Sequence, residues 1–136
     1  MSEKTEYMKY FLLVILIVFI GCAGEELPNV EVPLKGKWVD INTTTDTLTF
    51  GLLGDKKAMI LGRGKEIKDG HLLPKMGSGS YDYDLLSDEI IALRSHLSSN
   101  SNFHEYYFQH SGDILTVEKF FENSTSGTIL TFRKIK

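Results

Sequence analysis

The chain from Lys35 onward reads as an all-β domain, a single antiparallel up-and-down barrel of about eight strands. Three observations carry that reading. Short runs of β-branched and aromatic residues alternate apolar with polar, which is the period of a half-buried strand. Clusters of Gly, Asn, Asp and Ser separate the runs, and most are too short for a crossover helix, so neighbouring strands pair as a meander. No stretch repeats its apolar residues at the helical spacing. Composition agrees, since 12 Gly, 8 Phe and 6 Tyr suit a sheet with many tight turns.

The segment before the strands has a different character. Phe11-Leu-Leu-Val-Ile-Leu-Ile-Val-Phe-Ile20 is apolar throughout but shorter than the ~20 residues a membrane-crossing helix needs. Its length suits the hydrophobic region of a signal peptide. Lys4 and Lys9 precede it, partly offset by Glu3 and Glu6, and Gly21 and Cys22 follow it. The run Phe19-Ile20-Gly21-Cys22 resembles the lipobox of bacterial lipoproteins, with Phe19 where that pattern most often has Leu. The resemblance implies cleavage after Gly21 and a Cys22 carrying a diacylglycerol and an amide-linked acyl chain such as palmitate. The partner of Cys22 is then membrane lipid, and the protein sits in the cell envelope of a Gram-negative bacterium, with the outer membrane favoured. A lone acyl chain holds only marginally, so the double modification matters.

Residues 22–34 then form the lipidated cysteine and an acidic tether. Glu25, Glu26 and Glu31 with Pro28 and Pro33 show no periodicity and favour an extended, solvated segment. Glu25 and Glu26 also stand where some lipoproteins carry a sorting signal. The expected organisation is a signal peptide over 1–21, the tether over 22–34 and one domain over 35–136. Cys22 is the only cysteine, so no disulfide framework exists and packing alone must stabilise the domain. A net charge of -3 and the lack of a clustered basic face argue against a nucleic-acid partner.

Strands are predicted near 36–42, 46–53, 56–62, 79–85, 89–95, 103–110, 113–121 and 127–135. In the second, Leu48, Phe50 and Leu52 line one side while Thr47, Thr49 and Gly51 line the other. Tyr81, Tyr83 and Leu85 oppose Asp82 and Asp84, which places both aspartates in water. His104, Tyr106, Phe108 and His110 share a face, opposite Phe103, Glu105, Tyr107 and Gln109. Leu115 and Val117 alternate with Thr116 and Glu118, and Leu130 and Phe132 alternate with Thr131 and Arg133. The turns are Asn42-Thr-Thr-Thr45, Gly54-Asp55, Ser98-Ser-Asn-Ser-Asn102, Ser111-Gly-Asp113 and Asn123-Ser-Thr-Ser-Gly127. One-sided patterning gives one dry face, and closure into a barrel removes the edges.

Leu34-Lys-Gly-Lys-Trp-Val39 places Gly36-x-Trp38 on the first strand, and Thr128-Ile-Leu-Thr-Phe-Arg133 ends the last. The pair resembles the lipocalin or calycin superfamily. That resemblance implies that Gly36, Trp38 and Arg133 are structural, with the guanidinium stacked on the indole, a contact contributing about 0.5–2 kcal/mol. The domain is shorter than a typical lipocalin, and the helix that usually flanks the barrel is missing.

Candidate chemistry is sparse. His104 and His110 lie roughly 20 Å apart along an ideal strand at about 3.3 Å per residue, so they cannot share a metal ion. No serine or cysteine stands in a recognisable nucleophile context. Neither a metal nor another cofactor is expected. The segment 62–78 exceeds the ordinary loop length of about 12–15 residues. Its Gly62-x-Gly64 does not lead from a strand into a helix, so it is no phosphate cradle. Arg63, Lys65, Lys68 and Lys75 surround an apolar centre at Leu72-Leu-Pro-Lys-Met76, which suits a partner contact and reads equally as a hairpin without a role.

Two functional classes follow. The first is a membrane-anchored, non-enzymatic binding or interaction module. An open interior would hold a small apolar ligand against Phe50, Tyr81 and Tyr83. A filled one would move recognition to Arg63, Lys65 and Leu72, and to an envelope protein or glycan. The alternative is an envelope enzyme using His104 or Glu105 as acid or base.

Overall fold

The computed structural model describes residues 31–99, 101–121 and 127–136; Cys22, the apolar segment before it and the tether up to residue 30 lie outside the described residues. The strands are β1 (Gly36–Asp40), β2 (Thr47–Leu53), β3 (Lys56–Gly62), β4 (Lys65–Lys68), β5 (His71–Pro74), β6 (Gly79–Leu85), β7 (Ile90–Ser95), β8 (His104–Ser111), β9 (Ile114–Glu118) and β10 (Ile129–Ile135). Eight of them close a barrel in the order β1-β10-β9-β8-β7-β6-β3-β2, while β4 and β5 pair only with each other. Every pairing is antiparallel. The up-and-down barrel of the sequence reading is therefore the fold.

Local chemistry sets the strand ends. β1 stops at Asp40, two residues short of expectation, because the Asp40 carboxylate accepts the backbone N–H groups of Asn42 and Thr43, each at 2.7 Å. Thr44 then takes a left-handed φ of 57° and turns the chain back. At Asp69-Gly70 both residues have positive φ, 50° and 77°, the requirement of a two-residue type I′ hairpin. The long connection, for which a hairpin was one of the two readings, is thus built on a short hairpin. Its residues gave no strand signal because all eight are exposed, and without burial there is no alternation to read.

The interior is filled. Trp38, Leu48, Phe50, Met59, Leu61, Tyr81, Tyr83, Ile91, Leu93, Phe108, Leu115, Val117 and Phe132 form one buried cluster. Phe50 and Tyr83 meet edge to face at 5.2 Å, a favourable aromatic geometry. Leu52 departs from its expected inward role and is 49% exposed. It pairs with Lys57 beside the Gly54-Asp55 turn, on a rim that lies past the packed interior.

The two ends differ. One carries the short connections after β2, β6 and β8 and receives the N-terminal approach. There Leu34 is buried, and its carbonyl accepts the Trp38 indole N–H at 3.0 Å. The cation over the Trp38 ring is Lys134, at 5.2 Å, and not Arg133. Alternation explains the correction: Lys134 shares the side of buried Phe132, whereas Arg133 pairs with Val39 on the other side and is exposed. Gly36, at φ 125°, gives Lys134 its room, since a Cβ there would sit 3.1 Å from the lysine Cε. The opposite end bears the long connections, among them the one holding β4 and β5.

Candidate functional site

Three of the expected contact residues belong to the core. Phe50, Tyr81 and Tyr83 are buried among packed neighbours, so they offer no face to an internal ligand. Burial first, and the nearby Asp84 charge second, push the Tyr83 phenol up to about 12. Its hydroxyl is one of two buried side-chain polar atoms without a partner among the described residues, the other being Ser78 Oγ. The Tyr81 hydroxyl instead donates to the Gly77 carbonyl at 2.7 Å, at the foot of the hairpin connection.

That foot is a clamp. Arg63 donates through Nε to Asp46 Oδ2 at 2.9 Å and through Nη1 to the Met76 carbonyl at 2.7 Å. Its guanidinium also lies 4.2 Å from the centroid of the Phe121 ring. Asp46 and Phe121 are both buried, which strengthens the pair relative to a solvated one. Gly77 has φ 84° and packs so tightly on Phe121 that a Cβ would come within 2.5 Å of the phenylalanine Cβ. The Lys75 N–H donates to the Gly64 carbonyl at 3.1 Å and ties the two legs together. Arg63, expected to contact a partner, therefore holds the hairpin's base.

The hairpin itself projects. Lys65, Ile67, Leu72 and Pro74 share one face by register, and Glu66, Lys68, His71 and Leu73 share the other. Ile67 is 77% exposed and Leu72 62% exposed, so a cross-strand apolar pair stands in solvent. Ile67 has the highest exposure of the large apolar side chains among the described residues, and Leu72 stands opposite it on the same face. Lys65 and Leu72 are where a partner can reach them.

His104 and Glu105 are both exposed, and among the described residues no side-chain hydrogen bond or ion pair holds either. His110 lies at the far end of β8, edge-on to Trp38 at 5.5 Å, with Nε2 donating to the Gly112 carbonyl at 2.9 Å.

The constellation that the sequence reading missed centres on Asp82. It is 6% exposed, against the expectation that it faces water. Folding β6 onto β7 sets Asp82 opposite Arg94, whose Nε donates to Asp82 Oδ2 at 3.0 Å and whose Nη2 donates to the same oxygen. His96 Nε2 meets Asp82 Oδ1, and His96 Nδ1 lies 3.1 Å from Ser80 Oγ. A carboxylate only accepts, so Nε2 carries the proton and Nδ1 accepts from the serine hydroxyl in the neutral ring. Burial pushes the Asp82 carboxyl up, but the Arg94 and His96 hydrogen bonds together with both charges outweigh it and hold it below its ordinary value. The alternation was correct about direction. What occupies the aspartate's two oxygens is Arg94, opposite it on β7, and His96 just beyond that strand. Opposite charges facing each other across the 79–95 hairpin were the available signal.

No protein-family model matches this chain, and no curated protein or solved structure matches it. The residues and their geometry carry the functional reading.

Proposed function

We propose that the protein is a lipid-anchored, non-enzymatic interaction module of the cell envelope, and that the β4–β5 hairpin is its recognition element. The single observation that supports this is an exposed Ile67–Leu72 pair on a hairpin whose base is fixed by Arg63, Asp46 and Phe121. A rigid base keeps the hairpin presented without an ordering cost on association. Lys65, Lys68 and Lys75 around the pair suit a partner with acidic groups beside an apolar patch. The filled interior favours surface recognition over the small apolar ligand. Acid–base catalysis by His104 or Glu105 draws no support from the contacts around them.

The test compares partners crosslinked in cells by the wild type and by Ile67→Asp/Leu72→Asp. Loss of a defined partner with an unchanged thermal midpoint is expected, and identical partner lists would remove the hairpin from the reading. The anchor is tested separately by membrane fractionation. Cys22→Ala should release the protein from the membrane fraction or leave it as precursor, and an unchanged distribution would exclude lipidation at Cys22.

A further inference from the structure

A concave surface lies on the outside of the barrel, away from the hairpin. β3 and β6 pair only from Ala58–Asp82 to Leu61–Gly79. Past Ala58, β3 follows β2 to Lys56, and past Asp82, β6 follows β7 to Leu85. The seam opens there. Two adjoining hollows of about 260 Å³ and 510 Å³ occupy the opening and share Asp55, Lys56, Asp82 and Arg94 in their walls. The larger falls in the range of small-ligand sites, roughly 300–1,000 Å³, and the smaller adjoins it.

The chemistry of the walls is specific in three ways. Charge is balanced: Lys57 pairs with Asp84 at 3.4 Å, Arg94 and His96 take Asp82, and Lys56 adjoins Asp55. The rim is hydroxylated, with Ser95, Ser98, Ser99 and Ser101 on the larger hollow. Phe103 is 42% exposed at the smaller one, and the Arg94 guanidinium lies 4.8 Å from its ring centroid, which fixes the ring in place. An anion would need surplus cations, and here Lys56, Lys57 and Arg94 are equalled in number by Asp55, Asp82 and Asp84. An apolar ligand would strip water from the serines and charges without replacing their hydrogen bonds. A sugar does neither, because its hydroxyls both donate and accept and its C–H face packs on an aromatic ring.

We propose that this cleft binds a neutral saccharide, with Phe103 as the stacking platform and Arg94, Lys56, Asp55 and the rim serines as hydrogen-bonding groups. Asp82 acts as a positioning residue, since it orients Arg94 and His96 from beneath. The site is independent of the hairpin reading, because none of its walls includes residues 63–78.

The experiment records backbone amide shifts of the full chain in a detergent without a sugar headgroup, titrated with maltose, cellobiose, N,N′-diacetylchitobiose and, separately, inorganic phosphate. At least one disaccharide should shift the amides of Lys56, Arg94, Ser95 and Phe103. Phe103→Ala should weaken that binding about tenfold, the ordinary weight of one stacked aromatic face, while Phe103→Tyr retains it. Silence of those amides toward every disaccharide would overturn the proposal. So would shifts by phosphate alone, which would mark an anion site, or saccharide binding unchanged in Phe103→Ala. Because Phe103 lies outside the buried core, its variants fold, and the hairpin variant Ile67→Asp/Leu72→Asp should bind the disaccharide as the wild type does.

Discussion

Tyr83 is the residue where burial and chemistry are most at odds. Its ring fills the barrel beside Phe50, yet its hydroxyl has no partner among the described residues, and a buried polar atom left unpaired costs about 1–3 kcal/mol. Tyr83→Phe keeps the ring and removes the orphan. It is expected to leave stability at neutral pH unchanged or raised, read from urea midpoints. The alkaline arm has a definite sign. The folded phenol is raised to about 12 from an ordinary 10.0, so its contribution is complete below pH 10 and is lost as pH climbs toward 12. Tyr83→Phe should flatten that loss, although Tyr81 and Tyr106, also raised by burial first, keep part of the slope. Asp82 has the opposite sign. Its folded pKa is depressed, so its contribution is present above the ordinary carboxylate value and falls away as pH drops through the folded one. Asp82→Asn should cost about 1–2 kcal/mol at pH 7, the partial exposure of Arg94 limiting the figure. The gap between variant and wild type should close below about pH 4, and a gap that stays constant in acid would mean Asp82 acts through shape alone.

The hairpin separates what an element needs in order to exist from what it needs in order to stay in place. β4 and β5 form because Asp69-Gly70 supplies the two left-handed residues of the turn, and they bury almost nothing. Their attachment is made at Arg63 and Gly77. Gly77→Ala meets a strained φ of 84° and Phe121 at 2.5 Å, where the opposing atom is a Cβ that cannot swing aside. It should lower the unfolding free energy by about 1–3 kcal/mol in denaturant titration. Ile67→Asp/Leu72→Asp, by contrast, should shift it by no more than about 0.5 kcal/mol, because both side chains are already in water. Equal losses from the two variants would show the hairpin packs as part of the core. The same contrast explains which parts were legible. The barrel strands announce themselves because their apolar residues alternate into a dry interior: Leu48 and Phe50, and Leu115 and Val117, alternate as they bury. The hairpin is wet on both faces and carries no such signature. The Trp38 partner was one residue out because a strand reverses its side chains at every step, so Lys134 and not Arg133 comes under the indole. Asp82 was missed because its partners Arg94 and His96 come from the neighbouring strand and the residue just past it, and alternation along β6 alone does not report them.

At the scale of the molecule, everything depends on the closure of β1 onto β10. Lys37 pairs with Ile135 and Asp40 with Phe132, so the first and last strands of the barrel bond across nearly the whole domain. Contacts of that separation form late and slowly, since the loop must close before the pairing gains anything. Until then β1 and β10 each present an open edge, and an open edge is a template for another chain. Closure also seals the core: Phe132 and Trp38 are both fully buried, and each sits on one of the two joining strands. A chain ending at Thr128 would lose β10 whole, with Phe132 from the interior and Lys134 from above Trp38. It would leave a seven-stranded open sheet whose two new edges flank an exposed apolar face. The expected outcome is aggregation or loss of cooperative unfolding, seen as void-volume elution in size-exclusion chromatography and a broad, featureless melt by circular dichroism. Adding residues 129–136 as a separate peptide should restore a monomeric, cooperatively melting species, because the missing strand can pair on both of its edges at once. A truncated chain that stays monomeric and melts sharply by itself would show that the remaining seven strands close without it, and that β10 is an addition to the barrel and not its lock.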